Sequence, residues 1–200
     1  MINLYFAGAI IISYLLGNIS PAILIGRAMH IDIRKEGSGN AGTTNALRVL
    51  GKKAAVATLA IDIFKGVAAV LIGRVIAGQE LAIICAVAVF LGHIWPVAFQ
   101  FRGGKGIATA FGAITTLHPV LGLLELAVAA SFMLISKRVS VGSLAAALIL
   151  PVASYYFEPG FMPWAAVMAA IVIFKHRKNI QRLLKGEEPK VSFKKQEEKK

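Results

Sequence analysis

The sequence predicts an all-α integral membrane protein with about seven transmembrane helices, and three observations lead to this fold class. Hydrophobic residues make up 57% of the 200 residues, against ~45–50% in soluble domains. They fall into apolar runs, most of them long enough for a helix to cross a hydrocarbon core ~30 Å thick. Polar, glycine-rich and basic stretches separate these runs. A mean hydropathy of +0.71 beside a pI of about 10.1 disfavours a nucleic-acid-binding protein, because such domains are basic without being so apolar.

Seven apolar segments are expected to cross the membrane. The first, residues 3–26, lacks the basic start and the small-residue cleavage site of a signal peptide, so we predict that it is retained. It is interrupted only by Asn18, Ser20 and Pro21. The fourth, residues 107–117, is short, with roughly 16 Å of helix at 1.5 Å per residue. The other five segments cover residues 54–77, 81–101, 120–136, 139–157 and 161–174.

Four polar or reactive side chains lie inside these segments: Asp62 and Lys65, as buried charges, are functional candidates by default, whereas Cys85 and His93 are expected to serve packing. Asp62 and Lys65 are three residues apart, so they share a helix face and can pair. Cys85 is the single cysteine, which excludes an internal disulfide, and its apolar surroundings favour a packing thiol over a nucleophile. His93 is the only histidine within its segment and is expected to be a hydrogen-bonded packing residue.

The basic residues predict the orientation. With seven crossings and the N-terminus outside, residues 27–53, 102–106, 137–138 and 175–200 lie in the cytoplasm. These stretches carry 6, 2, 2 and 10 Lys and Arg residues, together 20 of the 22 present. If residues 107–117 did not cross, the basic tail would face outward, against the positive-inside rule. We therefore predict a single transmembrane domain over residues 1–186, followed by a charged, disordered cytoplasmic tail over 187–200.

The first cytoplasmic loop contains a glycine-rich run over residues 37–45. Its three glycines within six residues allow successive backbone N–H groups to face an anion. We expect Thr43, Thr44 or Asn45 to cap a helix whose N-terminus favours negative charge. Arg48 is expected to reach back from that helix to a phosphate group. The candidate phosphate ligands of this loop are Ser38, Gly39, Asn40, Thr44 and Asn45. An ordinary flexible turn is the alternative interpretation.

Three further polar clusters are predicted on the same face. In residues 101–106, Gly103 and Gly104 allow close backbone approach, and Lys105 supplies a point charge before a helix N-terminus. Ser140 and Ser143 begin the sixth segment, where one of them is expected to be the N-cap. Residues 175–184 are typical of a basic helix at the membrane surface.

Together these loops favour a site where a phosphorylated substrate meets a lipidic one. The four histidines are scattered and no carboxylate joins them at ligand spacing, and a Gly-x-Ser-x-Gly serine-hydrolase motif is missing from the sequence. We therefore expect no metal, no cofactor and no nucleic-acid partner.

Four ordered motifs between about residues 10 and 190 resemble those of the bacterial acyl-phosphate-dependent glycerol-3-phosphate acyltransferases. The motifs are residues 37–48, 92–106, 140–143 and 176–187. The resemblance implies a bacterial inner-membrane enzyme of phospholipid synthesis whose active site faces the cytoplasm. It would transfer a fatty acyl group from acyl phosphate to the 1-hydroxyl of glycerol 3-phosphate, giving 1-acyl-glycerol 3-phosphate and phosphate. In agreement, the His-x-x-x-x-Asp signature of thioester-using acyltransferases is missing, since the fifth residues after the histidines are Lys35, Ala98, Leu123 and Gln181.

The resemblance also implies site residues within residues 1–186. Arg48, Lys105, Ser143 and His176 are the catalytic candidates, and Asn179 joins Gly103, Gly104 and the ligands of the first loop as phosphate-binding candidates. Three mechanisms stay open: Ser143 as nucleophile, His176 as general base, or a substrate phosphate that accepts the proton itself. We favour the third, because phosphate ligands are abundant and no base is evident. Acyl-chain preference, oligomeric state and the loop that holds each phosphate are not predicted.

Two other function classes compete with an acyltransferase. A transporter or channel for a phosphorylated solute needs polar groups on both faces and through the middle. The predicted outer loops, near residues 78–80, 118–119 and 158–160, are instead short and almost uncharged. A lipid-phosphate phosphatase needs the same phosphate-binding loops and is the closer alternative.

Overall fold

The computed structural model describes residues 4–191, and all regular structure in that range is helical. The predicted all-α class is therefore confirmed. The helices are α1 (Leu4–Asn18), α2 (Pro21–Ala28), α3 (Thr43–Val49), α4 (Lys52–Ile94), α5 (Ile107–Leu117), α6 (Pro119–Ser136), α7 (Val139–Phe157), α8 (Met162–Lys175) and α9 (Arg177–Leu184).

The first predicted segment is broken into α1 and α2, which meet at 42°. Pro21 causes the break, because it has no N–H to donate to the carbonyl oxygen of Gly17 four residues earlier. The carbonyl oxygens at the break therefore need donors from elsewhere in the protein.

Helix α4 is a hairpin of two arms, residues 52–76 and 79–94. Between them Ala77 and Gly78 have non-helical backbone angles, with Gly78 at φ 72°. The arms run antiparallel, since a Cβ atom on Gly73 would contact the backbone of Leu81 and Ala82. The arms correspond to the predicted segments 54–77 and 81–101, although the helix ends at Ile94 and a 3-10 turn, Val97–Phe99, follows.

Glycine pairs bring the helices of the core into backbone contact. A Cβ atom on Gly17 would collide with the second arm of α4 at Val89 and Gly92, and one on Gly66 would collide with α5 at Thr109. Small residues at crossing points are typical of helix packing in membranes. The largest buried cluster lies among α4 to α8 and includes Phe90, Ile94, Ile114, Leu121 and Met168.

Polar contacts join the predicted outer turns at one end of the bundle. Arg74 Nη2 donates to the carbonyl oxygen of Leu117 at 3.1 Å and to Gln79 at 3.0 Å, and Gln79 Nε2 donates to Glu158 at 3.0 Å. Helix α5 ends at Leu117 in this cluster and begins beside Lys105 at the opposite end. Its 11 residues therefore connect the two ends of the bundle.

Three helical stretches within residues 4–191 are long and apolar enough to cross a membrane: Lys52–Phe99, Pro119–Ser136 and Val139–Phe157. The number becomes five if the bent pairs α1–α2 and α8–α9 each count as one span. The hairpin in α4 divides the first stretch in two, and α5 is apolar but short. Seven crossings and the orientation of the termini stay predictions.

Candidate active site

A cavity of about 400 Å³ opens where the loops after α2, α4 and α8 converge. Seven of its 13 lining residues are Lys or Arg, and none is acidic. Such a concentration of positive charge suits anionic ligands. The lining residues are Arg34, Ser38, Gly39, Asn40, Phe101, Arg102, Gly103, Lys105, Lys175, Arg177, Lys178, Asn179 and Arg182.

Only part of this positive charge is neutralised by the described residues. Within residues 4–191, salt bridges join Arg34 to Asp32 at 2.9 Å and Arg182 to Glu188 at 2.7 Å. Lys175 instead lies over the ring of Trp95, 5.8 Å from its centroid, in a cation–π contact that holds it at the cavity wall.

Asn45 organises the glycine-rich first loop from beneath. Its side chain is 1% exposed. Its Oδ1 accepts from the backbone N–H of Ser38 at 2.9 Å, and its Nδ2 donates to the carbonyl oxygens of Ile33 and Glu36 at 3.1 and 3.0 Å. The structure therefore gives Asn45 a different role from the predicted phosphate ligand: it folds the loop that presents Ser38, Gly39 and Asn40 to the cavity.

The predicted caps and backbone nest of this loop are not formed as expected. Helix α3 begins after Gly42, without a capping side chain, so the prediction that Thr43, Thr44 or Asn45 caps it is wrong. The N–H of Gly39 donates to Glu36 at 2.9 Å, as that of Ser38 does to Asn45. Thr44 and Arg48 are not among the lining residues.

The glycines before α5 pack closely against the end of α4. The N–H groups of Gly103 and Gly104 donate to the carbonyl oxygens of Ile94 and His93 at 3.3 and 3.1 Å. A Cβ atom on Gly104 would collide with the His93 ring. These N–H groups thus hold the loop in place, and the loop delivers two charged groups, Arg102 and Lys105, to the cavity.

A hydrogen-bonded chain runs from Lys105 through Asn179 to Glu188. Lys105 Nζ donates to Asn179 Oδ1 at 2.5 Å, and Asn179 Nδ2 donates to Glu188 Oε1 at 2.6 Å. The same carboxylate accepts from Ser140 Oγ and from Arg182 Nε, both at 2.7 Å. Glu188 thereby fixes which face of the Asn179 amide meets Lys105.

Glu188 lies in the stretch predicted to be a disordered tail. Residues 187–191 are instead placed against the bundle, with Glu188 6% exposed and the N–H of Val191 donating to Lys137 at 2.8 Å. Residues 192–200 lie outside the described residues. Although burial raises the pKa of Glu188, hydrogen bonds from Ser140, Asn179 and Arg182 hold it below its usual value.

The predicted N-cap role of Ser140 or Ser143 is wrong, because no side chain caps α7.

Burial and positive charge set the protonation of two candidate groups. Burial lowers the pKa of Lys105 to about 8. The positive charges of Arg182, Arg48 and Lys175 also lower this pKa, whereas the negative charge of Glu188 raises it. Burial, together with the Lys105 charge, lowers the pKa of His176 to about 4. Near pH 7 Lys105 is therefore mostly charged and His176 is neutral.

His176 and Ser143 both bond to the backbone of their own helices. His176 is 2% exposed and its Nδ1 lies 2.8 Å from the carbonyl oxygen of Val172. Ser143 is 6% exposed and its Oγ donates to Val139 at 3.1 Å. Neither residue lines the cavity. Among residues 4–191, no three His, Cys, Asp or Glu side chains are grouped for metal binding.

A family model described as glycerol-3-phosphate acyltransferase matches residues 7–186. The chain belongs to this family. A glycerol-3-phosphate acyltransferase of Thermoanaerobacter sp. (strain X514) is 46% identical over 187 residues, covering 92% of this chain and 94% of the relative. One from Clostridioides difficile (strain 630) is 43% identical over 198 residues, covering 93% and 95%.

Two crystal structures of the integral membrane glycerol 3-phosphate acyltransferase PlsY share the fold. The glycerol 3-phosphate form has a TM-score of 0.89 at 34% identity, covering 94% of this chain and 96% of that one. The lysophosphatidic acid form has a TM-score of 0.85 at the same identity, covering 94% and 95%. This member of the acyltransferase family is accordingly an all-α integral membrane protein.

The acyltransferase cavity gathers part of the predicted site and adds residues that were not predicted. Of the candidates, Ser38, Gly39, Asn40, Gly103, Lys105 and Asn179 line it. The additional groups are Arg34, Phe101, Arg102, Lys175, Arg177, Lys178, Arg182 and, behind the wall, Glu188. One signal was available for Arg182, because it lies three residues after Asn179 and so shares its helix face.

Proposed function

We propose that this protein transfers a fatty acyl group from acyl phosphate to the 1-hydroxyl of glycerol 3-phosphate, giving lysophosphatidate and phosphate. The observation that carries the proposal is the cavity of about 400 Å³ with seven cationic side chains. Two phosphorylated substrates bring about four negative charges between them, which exceeds what one phosphate-binding loop would balance. The cavity volume falls in the range of small-molecule sites, ~300–1,000 Å³.

The proposed reaction needs little more from the protein than positioning and charge. The 1-hydroxyl oxygen attacks the carbonyl carbon of the acyl phosphate, a tetrahedral oxyanion forms, and the carbon–oxygen bond to phosphate then breaks. The donor is a mixed anhydride whose leaving group is phosphate. The attacking hydroxyl therefore requires only modest activation. Lys105, charged near pH 7 and held by Asn179, supplies positive charge to the phosphates or to the developing oxyanion.

We propose that a substrate phosphate accepts the hydroxyl proton. A general base works best with a pKa near the working pH, and His176, with a pKa of about 4, is far below it. The Ser143 hydroxyl donates a hydrogen bond to the carbonyl oxygen of Val139 and makes none to a histidine within the described residues. An activated serine nucleophile is therefore disfavoured. In this mechanism neither His176 nor Ser143 carries a chemical step.

Phe101 is proposed to mark the exit of the acyl chain from the cavity. It lines the cavity beside Arg102, and it is 56% exposed. An apolar ring next to a basic residue suits the boundary between lipid and water. The phosphate of the donor would lie among the cations while its acyl chain stays in the inner leaflet. The predicted bacterial inner-membrane location, with the cavity toward the cytoplasm, is part of the same proposal.

One assay separates the proposed reaction from its rivals. Purified protein in vesicles is given radiolabelled glycerol 3-phosphate with palmitoyl phosphate, palmitoyl-CoA or palmitoyl-acyl carrier protein, and lysophosphatidate is scored. We expect product only with palmitoyl phosphate. Equal transfer from either thioester refutes the donor, phosphate release without lysophosphatidate indicates a phosphatase, and uptake without reaction indicates a transporter. Lys105→Gln tests the cavity: it should raise KM for one substrate far more than for the other, unless one clamp serves both.

A further inference from the structure

A buried charged cluster inside the bundle has no part in the reaction described above. Asp62, Lys65 and His93 are 2%, 2% and 5% exposed. Lys65 Nζ lies 2.8 Å from Asp62 Oδ1 and 2.9 Å from His93 Nδ1, and His93 Nδ1 lies 3.3 Å from Asp62 Oδ1. The predicted Asp62–Lys65 pair is thus confirmed. Charges within a membrane are costly and mark functional positions.

Lys65 donates hydrogen bonds to carbonyl groups that lack a helical partner at the break between α1 and α2. Its Nζ donates to the carbonyl oxygen of Gly17 at 3.1 Å and to that of Ile19 at 2.6 Å. Pro21 has no N–H for Gly17, and the N–H of Ile23 donates to Ser20 instead of Ile19. The remaining proton of the ammonium faces Asp62 Oδ1 at 2.8 Å and His93 Nδ1 at 2.9 Å. The carboxylate of Asp62 balances the charge.

His93 transmits this anchoring to the loop that carries Lys105. His93 Nδ1 lies 2.9 Å from Lys65 Nζ and 3.3 Å from Asp62 Oδ1, so the ring is tied to this buried pair in either tautomer. The Nε2 edge of the ring lies directly beneath Gly104, where a Cβ atom would collide with it. The backbone of His93 also accepts from the N–H of Gly104 at 3.1 Å. Side chain and backbone of His93 therefore support the residue next to Lys105.

We propose that Asp62, Lys65 and His93 form a positioning triad that fixes the Gly103–Gly104 backbone and thereby places the Lys105 ammonium in the cavity. This inference rests on the proposed role of the cavity as the substrate site. The triad touches no substrate, and it acts only through Lys105. A shift of ~1 Å in a catalytic group can cost about 100-fold in rate, so we expect Lys65→Met to lower kcat/KM by about that factor.

A double-mutant cycle tests this path. Single variants Lys65→Met and Lys105→Gln are compared with the double variant, by kcat/KM and by thermal unfolding of the purified protein. If Lys65 acts through Lys105, the double variant loses no more than about threefold beyond Lys105→Gln alone, because coupled residues are not additive. Losses that multiply, or a Lys65→Met variant within threefold of wild type, overturn the proposal.

Arg74→Met is the matched control in the same arm of α4. Arg74 bonds to Leu117 and Gln79 at the opposite end of the bundle, so it should change kcat/KM by less than threefold even where it lowers Tm. An equal loss of activity in Arg74→Met and Lys65→Met at equal Tm means a general stability effect and refutes the triad. If Lys65→Met does not fold, His93→Leu decides, since it leaves the bonds of Lys65 to Gly17 and Ile19 intact.

Failure of the proposed donor is distinguishable from failure of the triad. If wild-type protein does not turn over palmitoyl phosphate, the donor is wrong. The same cycle is then measured on the Kd for inorganic phosphate, the group that phosphorylated substrates of this cavity share. Non-additive weakening by Lys65→Met and Lys105→Gln supports the triad, and additive weakening refutes it.

Discussion

The carboxylate of Glu188 is the group whose alteration tests the site most directly. Its side chain is 4% exposed and accepts three hydrogen bonds, from Ser140, Asn179 and Arg182 at 2.7, 2.6 and 2.7 Å. In Glu188→Gln one of the two oxygens becomes an NH₂ group. Either the NH₂ faces the guanidinium of Arg182, or it faces Ser140 and Asn179, so at least one donor meets another donor.

The size of the effect follows from these bonds. A hydrogen bond to a charged group contributes about 1.5–3 kcal/mol. The Glu188 side chain is too little exposed for a water molecule to replace a lost bond. Without its bond to Glu188, the Asn179 amide either turns away from Lys105 or is kept in place at the cost of that free energy. At 1.36 kcal/mol per factor of ten, we expect kcat/KM to fall roughly 10- to 150-fold.

The assay compares Glu188→Gln with Glu187→Gln in vesicles, using palmitoyl phosphate and glycerol 3-phosphate at matched protein content. Glu187 is its exposed neighbour, so its variant should stay within twofold of wild type. Thermal unfolding of both variants checks that the fold persists. A Glu188→Gln enzyme within threefold of wild type would show that the chain from Glu188 to Lys105 does not organise the site, and the reasoning would fail.

Four further outcomes are expected from the same enzyme. Because Lys105 is charged below its pKa of about 8, kcat/KM should decline as pH rises through 8, and Lys105→Arg should move this decline above pH 9; a profile flat to pH 10 contradicts it. With the pKa of His176 near 4, any inflection between pH 6 and 7 should come from the substrate phosphates, whose second pKa is about 6, so His176→Ala should leave its position unchanged. Ser143→Ala should keep kcat within about tenfold, and a trapped acyl-Ser143 adduct contradicts that. Phe101→Ser should raise KM for palmitoyl phosphate at least tenfold but leave KM for a short-chain acyl phosphate unchanged.

Much of the fold was predictable because apolar length and charge position depend on local sequence alone. The apolar runs predicted the helices, and the three-residue spacing of Asp62 and Lys65 predicted a pair that the structure forms at 2.8 Å. The fold also brings the loops that contain Ser38, Lys105 and Asn179 to one cavity. Each of these features follows from the spacing of residues along the chain or from the number of helices that separate two loops.

The roles of individual polar groups were less predictable, because they depend on partners distant in sequence. Glu188 looked like part of a solvated charge run, yet its partner Ser140 is 48 residues away. Asn45 has the chemistry of a phosphate ligand, but all its bonds are used within the loop. The N–H groups of Gly103 and Gly104 were expected to be available to an anion, and close packing against His93 engages them instead.

The position of Glu188 in the chain also determines when the enzyme becomes complete. Glu188 follows every helix described here, and chains are synthesised and begin to fold from the N-terminus. Until it is made, Asn179, Ser140 and Arg182 lack their common acceptor. A nascent chain can therefore insert all its apolar segments before the hydrogen bonds that order Asn179 and Arg182 exist. A chain that stops after Gly186 should reach the membrane and remain folded, with kcat/KM lowered at least as far as in Glu188→Gln.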